Sequence, residues 1–203
     1  RPPRPTLFPY TTLFRSFLTL LFTMVACMIL GMGLPSIPAY LITATMAAPA
    51  LVRLGIDPLV SHLFVFYFAM FANITPPVAL AAFAAAGISG GSPMKTGYAS
   101  LKLSLAGFIV PYMFVYNDAL LLHGTTLAEG LLVMLTSVSG VIMLGAAVEG
   151  YLARKMGIVQ RLPALAAAIL LMTPDHVQDL IGAALAVVII VLQFYQARKV
   201  MTA

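Results

Sequence analysis

The chain has 203 residues and a net charge of +5; 62% of its side chains are apolar, 8% are charged, and its mean hydropathy is +1.03. A surface facing water normally needs about a quarter of its residues charged, so 11 basic and 6 acidic residues exclude a soluble enzyme and a disordered chain, and their scatter excludes a nucleic-acid binder. Cys27 is the sole cysteine, which excludes an intrachain disulfide framework. An all-α integral membrane protein with several crossings remains.

In chain order, Arg1–Ser16 (RPPRPTLFPYTTLFRS) comes first and changes character abruptly at Phe17. It lacks the order of a signal peptide and resembles translated adapter DNA at the ends of metagenome-derived sequences, so residues 1–16 are set aside as a non-native leader. A basic juxtamembrane arm is the alternative. Arg1 is not an initiator Met, and residues 17–203 are read as the C-terminal part of a longer polypeptide.

A helix needs about 20 apolar residues to cross the hydrocarbon core. Tyr98–Tyr116, Leu127–Val148 and Val177–Tyr195 come close to that length and are predicted as helices. Leu162–Met172 is shorter, and is predicted to lie tilted or at the interface. Two further pairs of apolar segments are interrupted. Phe17–Leu30 and Ala39–Val52 flank Gly31–Pro38, and Leu59–Ala72 and Val78–Ile88 flank Asn73–Pro77.

Backbone that leaves the helix at membrane depth exposes N–H and C=O groups at several kcal/mol each, unless protein or a cavity satisfies them. Neither interruption contains a charged residue, whereas Arg53, Asp57, Lys95, Glu129, Arg154 and Lys155 mark other connections. That contrast favours buried breaks over surface loops, and paired Gly/Pro breaks point to a transporter's binding site. Positive-inside counting puts the Lys95 and Arg154 loops in the cytoplasm and the Asp118–Glu129 loop outside. Residues 17–52 then form a re-entrant hairpin dipping from the outer face. The C-terminus is cytoplasmic if Leu162–Met172 spans, and outside if it does not.

The chemistry of the two breaks is neutral oxygen. Gly31–Ser36 offers accessible carbonyls and the Ser36 hydroxyl; Asn73 and Thr75 add side-chain oxygens, and Pro76 and Pro77 free carbonyls by having no N–H. Such ligands suit a weakly held monovalent cation such as Na⁺, since Ca²⁺ or Zn²⁺ would call for carboxylates, imidazoles or thiolates. Helices restarting after each break aim partial positive charge at the same region, which favours an anionic substrate group.

The strings GMGLPSIPAYLI, APALVRLGIDPLVSHLFVFYFAMFANITPPVALAAFAAAGI and PMKTGYASLKLSLAGFIVPYMFVYNDALLL resemble the large membrane subunit of tripartite ATP-independent periplasmic (TRAP) transporters. The likeness is greatest to the branch in which small and large membrane subunits are fused, and is strongest over Phe17–Leu122. It implies an elevator-type secondary transporter of the bacterial inner membrane. Such a permease couples uptake of an organic acid, delivered by a periplasmic solute-binding protein, to Na⁺ influx, with no other cofactor. This chain would supply the second inverted repeat: hairpin 17–52, broken helix 58–88 and helix 98–117 within 17–122, then an additional C-terminal membrane region, 123–203. The first repeat would come from the upstream part of the same permease. By position, Gly31, Gly33, Ser36, Asn73, Ile74 and Thr75 would form the Na⁺ site, with Pro35, Ser36, Thr75 and Pro76 beside the substrate. Asn73 stands where the family more often carries an acidic residue, and Ser36 where it carries Thr.

Other classes fit less well. His62, His123 and His176 fall in separate segments, and no H-E-x-x-H or G-x-S-x-G is present, which disfavours an intramembrane enzyme. A structural or scaffold membrane domain is the remaining alternative, chiefly for 123–203. His62 is read as a satisfied side chain rather than a proton relay, and Asp118 and Glu149 as solvated or capping groups near helix ends. Ala146 and Gly150 are spaced for close helix packing.

Overall fold

The computed structural model describes residues 9–122, 125–173 and 175–201, so Arg1–Phe8 of the expected leader, and His123, lie outside the described residues. All regular elements among those described are helical; one isolated bridge joins Tyr151 and Lys155. The chain divides into two units, 1–98 and 99–203.

The first unit is built on α1 (Pro9–Gly31), α2 (Ser36–Arg53) and α3 (Pro58–Phe71), which pack on one another. Helix α1 runs back into the tract set aside as a leader, starting at Pro9 rather than Phe17. Between α2 and α3 the turn is set by Gly55 (φ +88°) and by Asp57, whose carboxylate accepts from Leu59 N at 2.7 Å and Val60 N at 3.3 Å. Pro58 follows at the first helical position, where a missing N–H costs nothing. Leu20, Cys27, Ala39, Leu51, Phe64 and Phe68 are fully buried between the three helices. Phe64 and Phe68, one turn apart, meet edge-on at 4.9 Å, and His62 shares a 2.9 Å hydrogen bond with the Tyr40 hydroxyl of α2. His62 is therefore satisfied by a neighbour.

After α3 come a 3₁₀ turn (Ala72–Ile74), α4 (Leu80–Ser89) and α5 (Pro93–Ser104). The helix expected over Tyr98–Tyr116 is not continuous. α5 ends at Ser104, a 3₁₀ turn covers Gly107–Ile109, and α6 (Val110–Tyr116) continues with a bend of 56°. Pro111 has no N–H to give the Gly107 carbonyl, so the chain tightens instead, with Phe108 N bonding Leu105 O and Ile109 N bonding Ala106 O.

In the second unit, α7 (Leu127–Glu149), α8 (Ile158–Met172) and α9 (His176–Met201) pack together, with α8 against both partners. Two described helices, Leu127–Glu149 and the Val177–Tyr195 part of α9, are long and apolar enough to cross a membrane; the bent α5–α6 pair makes a third if it is one span. Their outward Leu135, Val138, Leu180 and Val191 are exposed as hydrocarbon requires. The chain is a membrane protein on this composition.

Small residues bring these helices close. A Cβ on Gly140 would lie 3.0–3.3 Å from Met172, Leu171 and the Ala168 carbonyl, and one on Gly182 2.9–3.1 Å from Leu170 and Leu171. Ala164, Ala167 and Ala168 are completely buried in that seam. Gly150, expected to pair with Ala146 in helix packing, serves otherwise: it ends α7 in the left-handed region at φ +71°.

Helix α8 has 15 residues and so spans about 22 Å, less than the hydrocarbon thickness. A buried amide ties α9 to the α7–α8 connection and the start of α8. Gln193 of α9 is fully buried; its Oε1 accepts from Arg154 N at 3.2 Å and its Nε2 donates to Gln160 Oε1 at 2.6 Å. The C-terminal part of α9 therefore returns to the end of the unit that carries the α7–α8 loop. Gln193→Leu is expected to cost about 1–3 kcal/mol by removing two hydrogen bonds, to the Arg154 amide and the Gln160 side chain. Accelerated hydrogen exchange at the Arg154 amide would report it, and unchanged exchange would refute it.

Candidate functional site

The hairpin tip is shorter than the sequence pattern implies. Helix α1 runs to Gly31 and α2 resumes at Ser36, leaving Met32–Pro35 as the break. Pro38 falls in the first turn of α2, where a helix tolerates it, yet it removes the N–H that would serve the Leu34 carbonyl four residues back. Gly33 takes φ +77°, a conformation open to glycine, and Leu34 N closes the turn on Gly31 O at 3.3 Å.

At the second break Thr75 leaves the helix with φ −102° and ψ 122°, and Pro76–Pro77 is a cis bond. Pro76 and Pro77 give no N–H to the Ala72 and Asn73 carbonyls. Ala72 O accepts from Thr75 N at 3.4 Å instead, and Ala79 N reaches Thr75 O at 3.2 Å. Thr75 is buried, and its hydroxyl donates to the Phe71 carbonyl at 2.7 Å. With the proton committed there, its oxygen lone pairs are left as acceptors. The break also runs longer than expected, because Ala79 sits in the left-handed region (φ 34°) and α4 begins only at Leu80.

The two breaks meet. A Cβ on Gly31 would stand 2.9 Å from the Ala69 carbonyl oxygen, 3.2 Å from Ala69 Cα and 3.2 Å from Ala72 Cβ, so the end of α1 lies directly on the end of α3. Gly33 approaches the other side, where a Cβ would be 3.6 Å from Val78. The hairpin tip thus touches residues immediately before and after Asn73–Pro77. Asn73, Ile74 and Pro76 are half-buried beside it, while Pro35 and Ser36 stand exposed at the start of α2. Among the described residues, no group of three or more His, Cys, Asp or Glu side chains gathers to hold a metal, so the break offers neutral oxygens.

One residue escaped the sequence reading. Gly97 of α5 packs on the second break, where a Cβ would lie 3.3 Å from Pro76 and Phe83 and 3.6 Å from Ala79. Its signal was a glycine inside a helix, which costs about 1 kcal/mol against alanine and so implies a close approach.

A family model described as the DctM component of the tripartite ATP-independent periplasmic transporter matches residues 10–128. No curated protein and no solved structure matches the chain. The family match covers more than half of the chain, including both breaks and the bent α5–α6 pair, and it begins within residues 1–16. The chain belongs to this family of transporter permease components; α8 and α9 lie beyond the matched residues.

Proposed function

We propose that this chain provides the second of two inverted repeats in a TRAP permease that takes up an organic acid with Na⁺ across a bacterial inner membrane. The carrying observation is the contact of Gly31 with Ala69 and Ala72, and of Gly33 with Val78, which sets two uncharged, carbonyl-rich breaks side by side. In this reading Gly31, Gly33, Ser36, Asn73, Ile74 and Thr75 give neutral oxygens to Na⁺, and Pro35, Ser36, Thr75 and Pro76 border the substrate. The carboxylate would face the start of α2, where unpaired N–H groups and the helix dipole favour an anion.

A periplasmic binding protein delivers the solute, and the other repeat completes the site from upstream in the same polypeptide. The committed Thr75 proton supports the cation role, because it turns the hydroxyl oxygen into an acceptor. Asn73 keeps the site uncharged where a carboxylate would add affinity, so Na⁺ binding is expected to be weak.

The test is Thr75→Val in the full-length permease, reconstituted with its binding protein. Valine keeps the shape of the side chain and removes the oxygen. Half-maximal uptake is expected to need about tenfold more Na⁺, the equivalent of one lost ligand of moderate strength, with membrane insertion unchanged. An unaltered Na⁺ dependence would overturn the cation assignment.

A further inference from the structure

Two cavities in the second unit share one residue. The first, of about 200 Å³, is lined by Glu129, Asp175, Asp179, Thr125 and Thr136, with no Lys or Arg among the described residues of its walls. The second, of about 430 Å³, is lined by Val110, Met113, Phe114, Met134, Val138 and Ile142, and is apolar almost throughout. Ser137 lines both. It is more than nine-tenths buried, and its hydroxyl has no hydrogen-bond partner among the described residues. Its neighbours behave differently: Thr136 and Ser139 return their hydroxyls to the backbone of α7, at Val133 O and Leu135 O. A membrane helix normally satisfies a serine that way, so the Ser137 hydroxyl is left as a donor on the wall that the two cavities share.

The polar lobe lies where α7 and α9 begin. Glu129 closes the capping box of α7 with Thr126, and Asp175 accepts from Val177 N and Gln178 Nε2 at the start of α9. The apolar lobe extends along α7 to Ile142, 13 residues beyond Glu129 and so about 20 Å deeper. A charged mouth at a helix end, leading to an apolar trough at hydrocarbon depth, matches the disposition of a phospholipid.

We infer that these two cavities, which share the wall residue Ser137, together hold one phospholipid with a primary ammonium headgroup, phosphatidylethanolamine in chemical type. The ammonium sits among Glu129, Asp175 and Asp179, Ser137 donates to an oxygen at the glycerol level, and one acyl chain fills the trough against Met134 and Val138. The acidic lining of the polar lobe favours a headgroup that carries an ammonium over one of net negative charge.

The experiment uses the full 203-residue chain in nanodiscs made of equal phosphatidylethanolamine and phosphatidylglycerol. Lipid retained through detergent extraction is counted by native mass spectrometry. Retention of phosphatidylethanolamine over phosphatidylglycerol by about tenfold is expected, as for one charge-assisted contact. Glu129→Gln should bring that ratio towards one, and Ser137→Phe, which plugs the junction, should abolish retention of both. A phosphatidylethanolamine carrying a photoreactive acyl chain tests the unaltered chain directly, with labelling expected at Met113, the buried residue of the trough. Equal retention of the two lipids, labelling confined to other faces, or retention unaffected by Ser137→Phe would each overturn the assignment. Occupation of the trough by a second copy or by upstream chain would appear as labelling blocked in that assembly, and would overturn it equally.

Discussion

Gly31→Val is expected to melt the hairpin from α3 and to abolish uptake by the full-length permease. The obstacle is backbone: the added Cβ would stand 2.9 Å from the Ala69 carbonyl oxygen and 3.2 Å from Ala69 Cα, neither of which can rotate away. Overpacking of this kind costs about 1–3 kcal/mol even where side chains can yield, and here the shift must come from whole helices. Gly87→Ala is the matched control, since a Cβ there meets nothing within 4 Å. Thermal unfolding of the two variants in the same detergent should separate them by several degrees, Gly31→Val unfolding first. Equal melting temperatures would show that α1 does not bear on α3 as described. The same displacement would pull Gly33 from Val78 and open the two breaks, so uptake should fall together with stability.

The breaks were legible because they are written in residue chemistry. Glycine where the chain must turn, prolines that withhold N–H groups, and a run without charge identify Gly31–Pro38 and Asn73–Pro77 before any coordinates. Their limits were less legible. Pro38 can sit in a first helical turn, so it did not mark the end of the first break, and α2 resumes at Ser36. Nothing in the residue type of Ala79 foretells φ 34°; that conformation follows from the chain returning to α4 after Pro76–Pro77. The bend between α5 and α6 carried the same proline signal, at Pro111, but the surrounding apolar run masked it. Gly97 was invisible as a partner of Pro76 because contact across a fold leaves no periodic pattern. The role of α8 also lay beyond pattern: 11 apolar residues from Leu162 to Met172 fit an interfacial helix as well as one packed between α7 and α9.

Arg161 lies in the first turn of α8. In the fold its guanidinium reaches across from α8, donating from Nε to the Ala147 carbonyl at 2.7 Å and from a terminal nitrogen to Val148 O at 2.6 Å. Those carbonyls belong to the last turn of α7, where no further helical N–H is available and the helix dipole is negative. Gly150 makes room for it: a Cβ there would lie 3.0 Å from the centre of the guanidinium. Arg161→Ala removes both bonds and leaves two carbonyls at the end of a membrane helix unpaired. With charged hydrogen bonds contributing about 1.5–3 kcal/mol each, this should be the most destabilising single change in the second unit. Arg161→Lys should recover less than half, because a single ammonium lacks the planar fork that bridges adjacent carbonyls. Unfolding in mixed micelles should therefore rank wild type, Lys and Ala in that order, with the first unit's unfolding signal unmoved. If Lys and Arg were equal, charge near the helix end would suffice and the bidentate cap would be refuted. The cap and the Gln193 clasp hold the same loop from two sides, one from α8 and one from α9. Combining Arg161→Ala with Gln193→Leu should then cost more than either alone but less than their sum, because a loop freed by one change has already lost part of what the other would take.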